Sequence, residues 1–426
     1  MALEEHLFRR QAGRMVAALT RVFGVHNLAL AEDVVQDALC RALEVWKLRG
    51  VPDNPSAWLM ATAKNRALDV VRRERTARTF APELGRLLES EWTVAPVMAE
   101  AMDPDALRDD ELRMMFSCCH PRLPEEAQVA LVLHILCGFG VGEIAAAFLS
   151  KEAAIQKRIA RGKKVLAGSR TLFDLAPGED FAARLDAVQR ALYLLFNEGY
   201  HGATATAVRA DLCEEAMRLV ALLLGHAPAA TPATHALAAL MCLHAARLPA
   251  RVDEAGALIP LLQQDRSRWD ERRVAEGEKL LELAGTGDVV TEYHVEAAIA
   301  WVRAAARSPG ETRWDQIVAL YDTLYAIRPS PVVALQRALA VGQLEGPERG
   351  LEALHSIPQK ERLESYPFYF AALGELELRR GQAAPAEESF RAALRLARND
   401  MERAFLEGRI AECQSPVRRE TAPGHP

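Results

Sequence analysis

Apolar residues recur at helical spacing along almost the whole of this 426-residue chain, and runs of Val, Ile, Thr and Tyr that would build strands are scarce. Ala and Leu dominate, and both are strong helix formers. A chain of this kind has one economical way to bury its apolar surface, helix against helix, so the expected fold class is all-α. Its length exceeds what one compact core organises, which implies two or three domains.

Proline, glycine and charge mark the expected boundaries. A helical block to about residue 80 is interrupted at Gly24 and at the Arg49–Pro55 loop. Residues 81–108 read as a linker, with Pro82, Pro96 and Pro104 amid an acidic run. A second helical block occupies 109–173, and Pro177-Gly178 marks the next boundary. Residues 181–413 are continuously helical in pattern, and 414–426 read as a tail. Within that long block, Leu373-Gly374, Gly381, Ala386, Phe390 and Ala393-Leu394 have the spacing of a tetratricopeptide helix pair. One repeat upstream stand Val332, Gly346, Leu351 and His355, and one further back Ile317, Tyr321, Leu324 and Pro329. A stacked helical repeat has a concave surface for a partner or a ligand.

The net charge of −6 argues against a chain that grips nucleic acid everywhere, yet the charges are blocked. Residues 64–78 hold six basic and two acidic side chains, and 151–170 hold seven basic and one acidic. Between them, 87–111 hold eight acidic and one basic. Two basic patches on an acidic tether suit a protein that touches DNA at two places, although solvated helix faces give the same pattern.

Two helices carry the specific signals. Along residues 56–73, Trp58, Thr62, Asn65, Arg66, Asp69, Arg72 and Arg73 share one sector, opposite Leu59, Met60, Ala63, Ala67, Val70 and Val71. An aromatic, an amide and arginines on one face suit unpaired bases and their phosphates, and an ion-paired amphipathic helix is the plainer alternative. Residues 141–166 read as a helix-turn-helix: Val141–Phe148, a turn at Leu149-Ser150, then Lys151–Leu166. Ile155, Ile159, Gly162 and Leu166 make the buried stripe of the second helix. Ala153, Lys157, Ala160, Arg161 and Lys164 point away, flanked by Gln156, Arg158 and Lys163. Small residues permit close approach to a major groove, and the long polar ones reach phosphates or base edges. The preceding helix, Ala31–Trp46, shows a short acidic row of Asp33, Gln36 and Asp37, more like a face for protein than for DNA.

In order and spacing these parts resemble the extracytoplasmic-function sigma factors of the sigma-70 family. Ala31-Glu32-Asp33-Val34-Val35-Gln36-Asp37, Trp58-Leu59, Asn65, Ala67-Leu68-Asp69 and Arg72-Arg73 look like domain 2 of that family, and Val141–Leu166 like domain 4. Leu112–Pro121, Phe196–Tyr200 and Tyr293–Ala298 resemble the subgroup with a C-terminal tetratricopeptide-like extension. The resemblance implies binding to core RNA polymerase (β′ clamp and β flap) and to promoter DNA. Asp33, Gln36 and Asp37 would meet the clamp. The Leu48–Ser56 loop would take a flipped base of the −10 element, and Trp58, Asn65, Arg66, Arg72 and Arg73 would hold the opening strand. Ala153, Gln156, Lys157, Arg158, Arg161 and Lys164 would read the −35 element. The acidic linker would lie along polymerase channels that otherwise hold nucleic acid. Lys151-Glu152-Ala153 departs from the usual opening of the second helix, which puts the promoter sequence in doubt and not the role. Residues 181–413 would control activity from within the chain, in place of a membrane-bound partner, through a protein or small-molecule signal.

Other classes fare worse. An ordinary helix-turn-helix regulator with a repeat sensor explains 141–166 and the C-terminal repeats but not the Trp58–Arg73 face. No phosphate-binding loop, dinucleotide turn, HExxH or GxSxG motif points to an enzyme. No cofactor is expected. Cys118, Cys119, His120, His134 and Cys137 are of metal-ligating type, but the first three are consecutive and the others lie in an apolar helix, which favours core packing over a metal. With no membrane span and no apolar signal segment near Met1, a cytoplasmic protein is expected.

Overall fold

The computed structural model describes residues 2–77, 103–148, 150–169, 172–176, 178–201, 209–253 and 258–414, and for some of them, 71–77 included, the backbone alone. All regular structure among these residues is helical, apart from one isolated antiparallel bridge between Val252 and Leu258. No described helix is long and apolar enough to cross a membrane.

Two of the prolines that read as breaks, Pro55 and Pro104, are helix starts, and four others share the position. Pro55, Pro104, Pro232, Pro331, Pro347 and Pro367 each stand at the first position of a helix, where a missing N–H costs nothing and the fixed φ is already helical. Side chains just before them cap the free amides. Asn54 Oδ1 accepts from Ala57 N at 3.0 Å, Asp103 Oδ1 from Asp105 N at 3.0 Å, and Thr231 Oγ1 from Thr234 N at 3.3 Å. Pro104, placed in the 81–108 linker by composition, therefore opens a helix. The remainder of that linker to residue 102 lies outside the described residues, as does the 415–426 tail.

The chain divides into two compact units. The first comprises Met1–Glu198 and Glu214–Ala230. Its helices are α1 (Ala2–Phe23), α2 (Leu28–Arg49), α3 (Pro55–Ala77), α4 (Pro104–Cys118), α5 (Glu125–Leu131), α6 (Val141–Ala147), α7 (Glu152–Ala167), most of α8 (Glu179–His201) and the larger part of α9 (Ala210–Leu224). Helix α1 is the hub: Met15, Val16, Ala17, Ala18, Leu19 and Phe23 are buried against α2, α3, α4 and a turn of π-helix, Val132–Leu136, that continues α5. Each of the larger of these side chains contributes about 1.5–3 kcal/mol when fully buried. Gly13 makes the closest crossing, for a Cβ there would stand 2.0 Å from the Leu136 carbonyl oxygen. Phe116 of α4 stacks on Phe173 and Phe181 at 5.6 and 5.1 Å between centroids, and Arg184 Nη1 donates to the Phe116 carbonyl at 3.0 Å. The first unit thus carries its core past the Pro177-Gly178 break, into the block read as 181–413. A proline-glycine pair marks a turn of the backbone, but the apolar faces on either side decide which core each helix joins.

The second unit comprises Gly199–Cys213 and Thr231–Pro426. Its helices are α10 (Pro232–Ala245), α11 (Glu271–Ala284), α12 (Glu292–Ala305), α13 (Trp314–Ile327), α14 (Pro331–Leu344), α15 (Pro347–His355), α16 (Pro367–Arg379), α17 (Ala383–Arg395) and α18 (Asp400–Gln414). Helix α10 is buried almost all round, with Ala236 to Leu243 inside, and α11 and α12 pack on it. Successive helices then pack on their neighbours around three apolar clusters. The spacing read at the end of the chain has a physical counterpart here. The Phe390 ring of α17 lies over Gly374 of α16, where a Cβ would meet it at 2.8 Å, and Ala386 and Ala393 beside it are fully buried. Gly342 and Gly350 bring α14 and α15 equally close.

Candidate nucleic-acid interface

Helix α7 begins with Lys151 as its extended first residue and Glu152 in its first turn, where a carboxylate opposes the helix dipole favourably. Ile155, Ile159, Gly162 and Leu166 are its buried residues, the stripe expected from the spacing. Gly162 is required by close approach, because a Cβ there would lie 2.5 Å from the Leu131 side chain of α5. Opposite that stripe, Ala153, Gln156, Lys157, Ala160, Arg161 and Lys164 are exposed. Lys157, Arg161 and Lys164 form no ion pair among the described residues, so a row of cations backed by two alanines faces solvent. Arg158 differs, being half-buried and paired with Glu126 of α5 at 2.5 Å. It ties α7 to its neighbour. Helix α6 ends at Ala147, followed by a turn at Phe148, close to the expected bounds of the helix-turn-helix.

Helix α3 puts Leu59, Ala63 and Ala67 in the core, fully buried. On its other side Asn65 and Asp69 are exposed and Arg66 is half-buried. Trp58 is also half-buried and meets Trp46 edge-on at 5.6 Å, which in turn lies 5.2 Å from Phe8. The indole is therefore engaged in an aromatic row rather than presented freely. The side chains of Arg72 and Arg73 lie outside the described residues. The loop before α3 turns at Gly50, which adopts φ 80°, a conformation that suits glycine, and leaves Leu48 86% exposed and Val51 49% exposed. Two bare apolar side chains at one tip are unusual for a solvated turn and suit contact with a base or a partner.

Asp33, Gln36 and Asp37 are all exposed on α2, as the pattern requires. Asp37, however, accepts from Arg66 at 2.6 and 2.7 Å. A carboxylate read as facing protein and a guanidinium read as facing DNA thus neutralise each other in this structure. Sequence reading kept them on separate helices and could not pair them.

A second connection was not legible. Lys163, on the flank of α7, donates to Glu32 of α2 at 2.7 Å and approaches His134 Nε2 at 3.2 Å. His134 Nδ1 faces the Phe139 carbonyl at 3.0 Å. Burial, opposed by that carbonyl contact, holds the imidazole below its ordinary pKa, so it stays neutral beside the lysine. Helices α1 and α4 carry a third connection: Arg21 pairs with Asp110 at 2.9 Å, and Glu111, fully buried, lies 3.4 Å from Arg14 and 2.7 Å from Arg218 of α9. Burial raises the Asp110 carboxyl to about 6 despite Arg21. Arg9 of α1 also reaches Glu143 of α6 at 2.6 Å. Of the acidic run over 87–111, residue 103 caps α4 and residues 105, 109, 110 and 111 belong to it, and the last two anchor it.

Cys118, Cys119 and Cys137 are completely buried, and burial pushes their thiols far above the ordinary range, Cys119 to about 12. They stay protonated and pack as small apolar groups. No cluster of His, Cys, Asp or Glu suited to a metal ion occurs among the described residues.

Residues 7–77 match the family described as Sigma-70 region 2, and residues 113–166 match Sigma-70, region 4. Residues 184–285 match a family of unknown function, DUF6596. An uncharacterized protein of Rhizobium meliloti (strain 1021) is 40% identical over 392 residues, spanning 92% of this chain and 91% of its own.

Proposed function

Because this chain belongs to the sigma-70 family, we propose that it is a sigma factor of the extracytoplasmic-function type whose activity is governed by its own C-terminal half. Membership carries the promoter-directed, non-catalytic role and the interaction with RNA polymerase and promoter DNA. The finer reading assigns Asp33, Gln36 and Asp37 to docking on the polymerase clamp, with domain 4 meeting the flap. The Leu48–Ser56 tip with Trp58, Asn65, Arg66, Arg72 and Arg73 takes the −10 strand. Ala153, Gln156, Lys157, Arg161 and Lys164 read the −35 element, and Arg158 acts on that face from its pair with Glu126. The observation that carries the reading is the exposed, unpaired cation row on α7, seated by a buried stripe inside the region 4 match.

A functional consequence follows from packing. The −10 and −35 elements lie roughly 25 base pairs apart, or about 85 Å of duplex. Here α1 of the region 2 match is packed on α4 and the π-turn of the region 4 match, and Lys163 of α7 touches Glu32 of α2. This arrangement reads as a closed form that opens when the factor joins the polymerase, releasing Asp37 from Arg66 and α7 from α2. The stacked helix pairs of α13–α18 read as a tetratricopeptide-like domain that receives the controlling signal. Transcription from a random promoter pool by core polymerase plus the full chain is the test. Start sites dependent on the chain are expected, with common −10 and −35 sequences. DNA binding without restored initiation would overturn the sigma reading in favour of a helix-turn-helix regulator.

A further inference from the structure

Among its walls, a cavity of about 270 Å³ in the second unit has an apolar side built by Leu258, Ile259, Phe368, Phe405 and Leu406. Its polar wall is unusual. Arg247 is only 8% exposed, and Arg251 stands beside it on the same wall. Neither forms an ion pair with a carboxylate among the described residues. Arg247 Nε donates to Gln264 Oε1 at 3.4 Å, and Gln264 is held in that orientation by donating to the Ile259 carbonyl at 3.0 Å. The Arg251 guanidinium lies 3.9 Å above the Tyr200 ring, and its Nε is buried with no hydrogen-bond partner among the described residues.

Two further arginines stand close by and are used structurally. Arg266 donates to the carbonyls of Arg303 in the last turn of α12 and of Ala306 just after it, and Arg303 donates to the Tyr321 hydroxyl at 3.2 Å. Burial, with repulsion from Arg251, Arg303 and Arg266, brings the Arg247 guanidinium down to about 10, against only a favourable pull from Tyr200. Glu402, the one carboxylate among the described residues of the cavity wall, is already neutralised: it accepts from Arg398 Nη2 at 2.5 Å and from the Arg398 amide at 2.9 Å. Buried cations without counter-ions are costly, and a ring face offers only part of what a carboxylate would. The arrangement is therefore incomplete as a protein interior and complete as half of a binding site.

We propose that this cavity binds a small amphiphilic monocarboxylate, its head on Arg247 and Arg251 and its apolar body against Leu258, Ile259, Phe405 and Leu406. Guanidinium forks match a carboxylate, and the apolar walls exclude a fully polar anion. The volume equals that of about nine waters, which sets a ligand of roughly eight to ten non-hydrogen atoms. This inference deepens the proposed control by the C-terminal half. Only its consequence for transcription rests on that reading, since binding is measured without polymerase or DNA.

The test is titration of the full chain with octanoate, followed calorimetrically. Saturable one-to-one binding is expected, at least about tenfold tighter than that of 1-octanol or inorganic phosphate. Arg251→Gln should weaken octanoate at least about tenfold and leave 1-octanol unchanged. Ala371→Phe, which fills the cavity from α16, should abolish both, with circular dichroism showing each variant folded. Octanoate and 1-octanol binding equally well would overturn the proposal, as would phosphate competing as tightly, binding that survives Ala371→Phe, or no saturation up to about 1 mM. Failure of the sigma reading in transcription would leave these outcomes untouched.

Discussion

Glu111→Gln is the substitution that most directly tests the packing of the promoter-binding unit. Glu111 has no accessible side-chain surface, and its carboxylate stands between Arg14 of α1 and Arg218 of α9. Glutamine keeps the shape and removes the charge. Breaking a buried pair from one side costs about 3–5 kcal/mol in general. The figure is smaller here, because Arg218 retains Glu215 at 2.8 Å and Arg14 is 21% exposed and can draw on water. A loss of about 2–4 kcal/mol follows. Both compact units contain tryptophan, so bulk fluorescence would blur the result. Hydrogen exchange of the α1 and α4 amides reads it locally, as a fall in protection of roughly 30- to 900-fold wherever exchange reports opening of the unit. Arg14→Met made in the Glu111→Gln background should add little, since their shared interaction is already gone. Protection reduced less than about threefold would refute the argument, because it would mean that the buried carboxylate contributes no more than a surface pair.

Three further outcomes are expected. Asp110, held near 6 by burial, takes up a proton more tightly folded than unfolded, so its contribution is fully present below about 3.8 and is lost as pH rises through about 6. That window is worth roughly 3 kcal/mol; Asp110→Asn should flatten the pH dependence of α1–α4 amide protection across it, and an unaltered profile would count against the assignment. Glu32→Gln removes the partner of Lys163 and should raise the apparent affinity for core polymerase by up to about tenfold, if opening is a cost of binding; equal affinity in a surface-binding titration would show that the closed contact is energetically idle. Lys157→Ala, at an exposed cation with no ion pair among the described residues, should weaken binding to DNA carrying the −35 element more than binding to random duplex; an equal loss on both, with the salt-dependence slope reduced by about one, would instead mean that Lys157 holds a phosphate and reads no base.

Local pattern carried much of the architecture. The stripe of Ile155, Ile159, Gly162 and Leu166 was legible because a helix repeats every 3.6 residues whatever packs on it, and Leu59, Ala63 and Ala67 were legible for the same reason. Gly374, Ala386, Phe390 and Ala393 at the end of the chain were visible because close helix crossings need small residues at set spacings, whereas the crossing at Gly342 and Gly350 was not read. Boundaries were less secure. Composition assigned Asp103, Pro104 and Asp105 to a linker, yet they open α4, since proline and aspartate serve equally at a loop and at a helix start. Trp58 illustrates a different limit: it meets Trp46, a residue twelve positions away on another helix, at 5.6 Å, a contact no periodicity shows.

By itself, the sequence determined an all-α chain, two blocks of basic residues, the helix-turn-helix and the resemblance that led to the sigma-70 family. These are properties of neighbours along the chain, set by backbone periodicity and side-chain type. Tertiary structure alone decided which charges meet: Arg66 with Asp37, Lys163 with Glu32, Glu111 between Arg14 and Arg218, and Arg247 and Arg251 with no carboxylate among the described residues. Such partners lie tens to hundreds of residues apart, and they are selected by where helices cross. A periodic pattern says which face of a helix is charged, but only the crossing says whether that charge is spent inside the fold or left for a ligand.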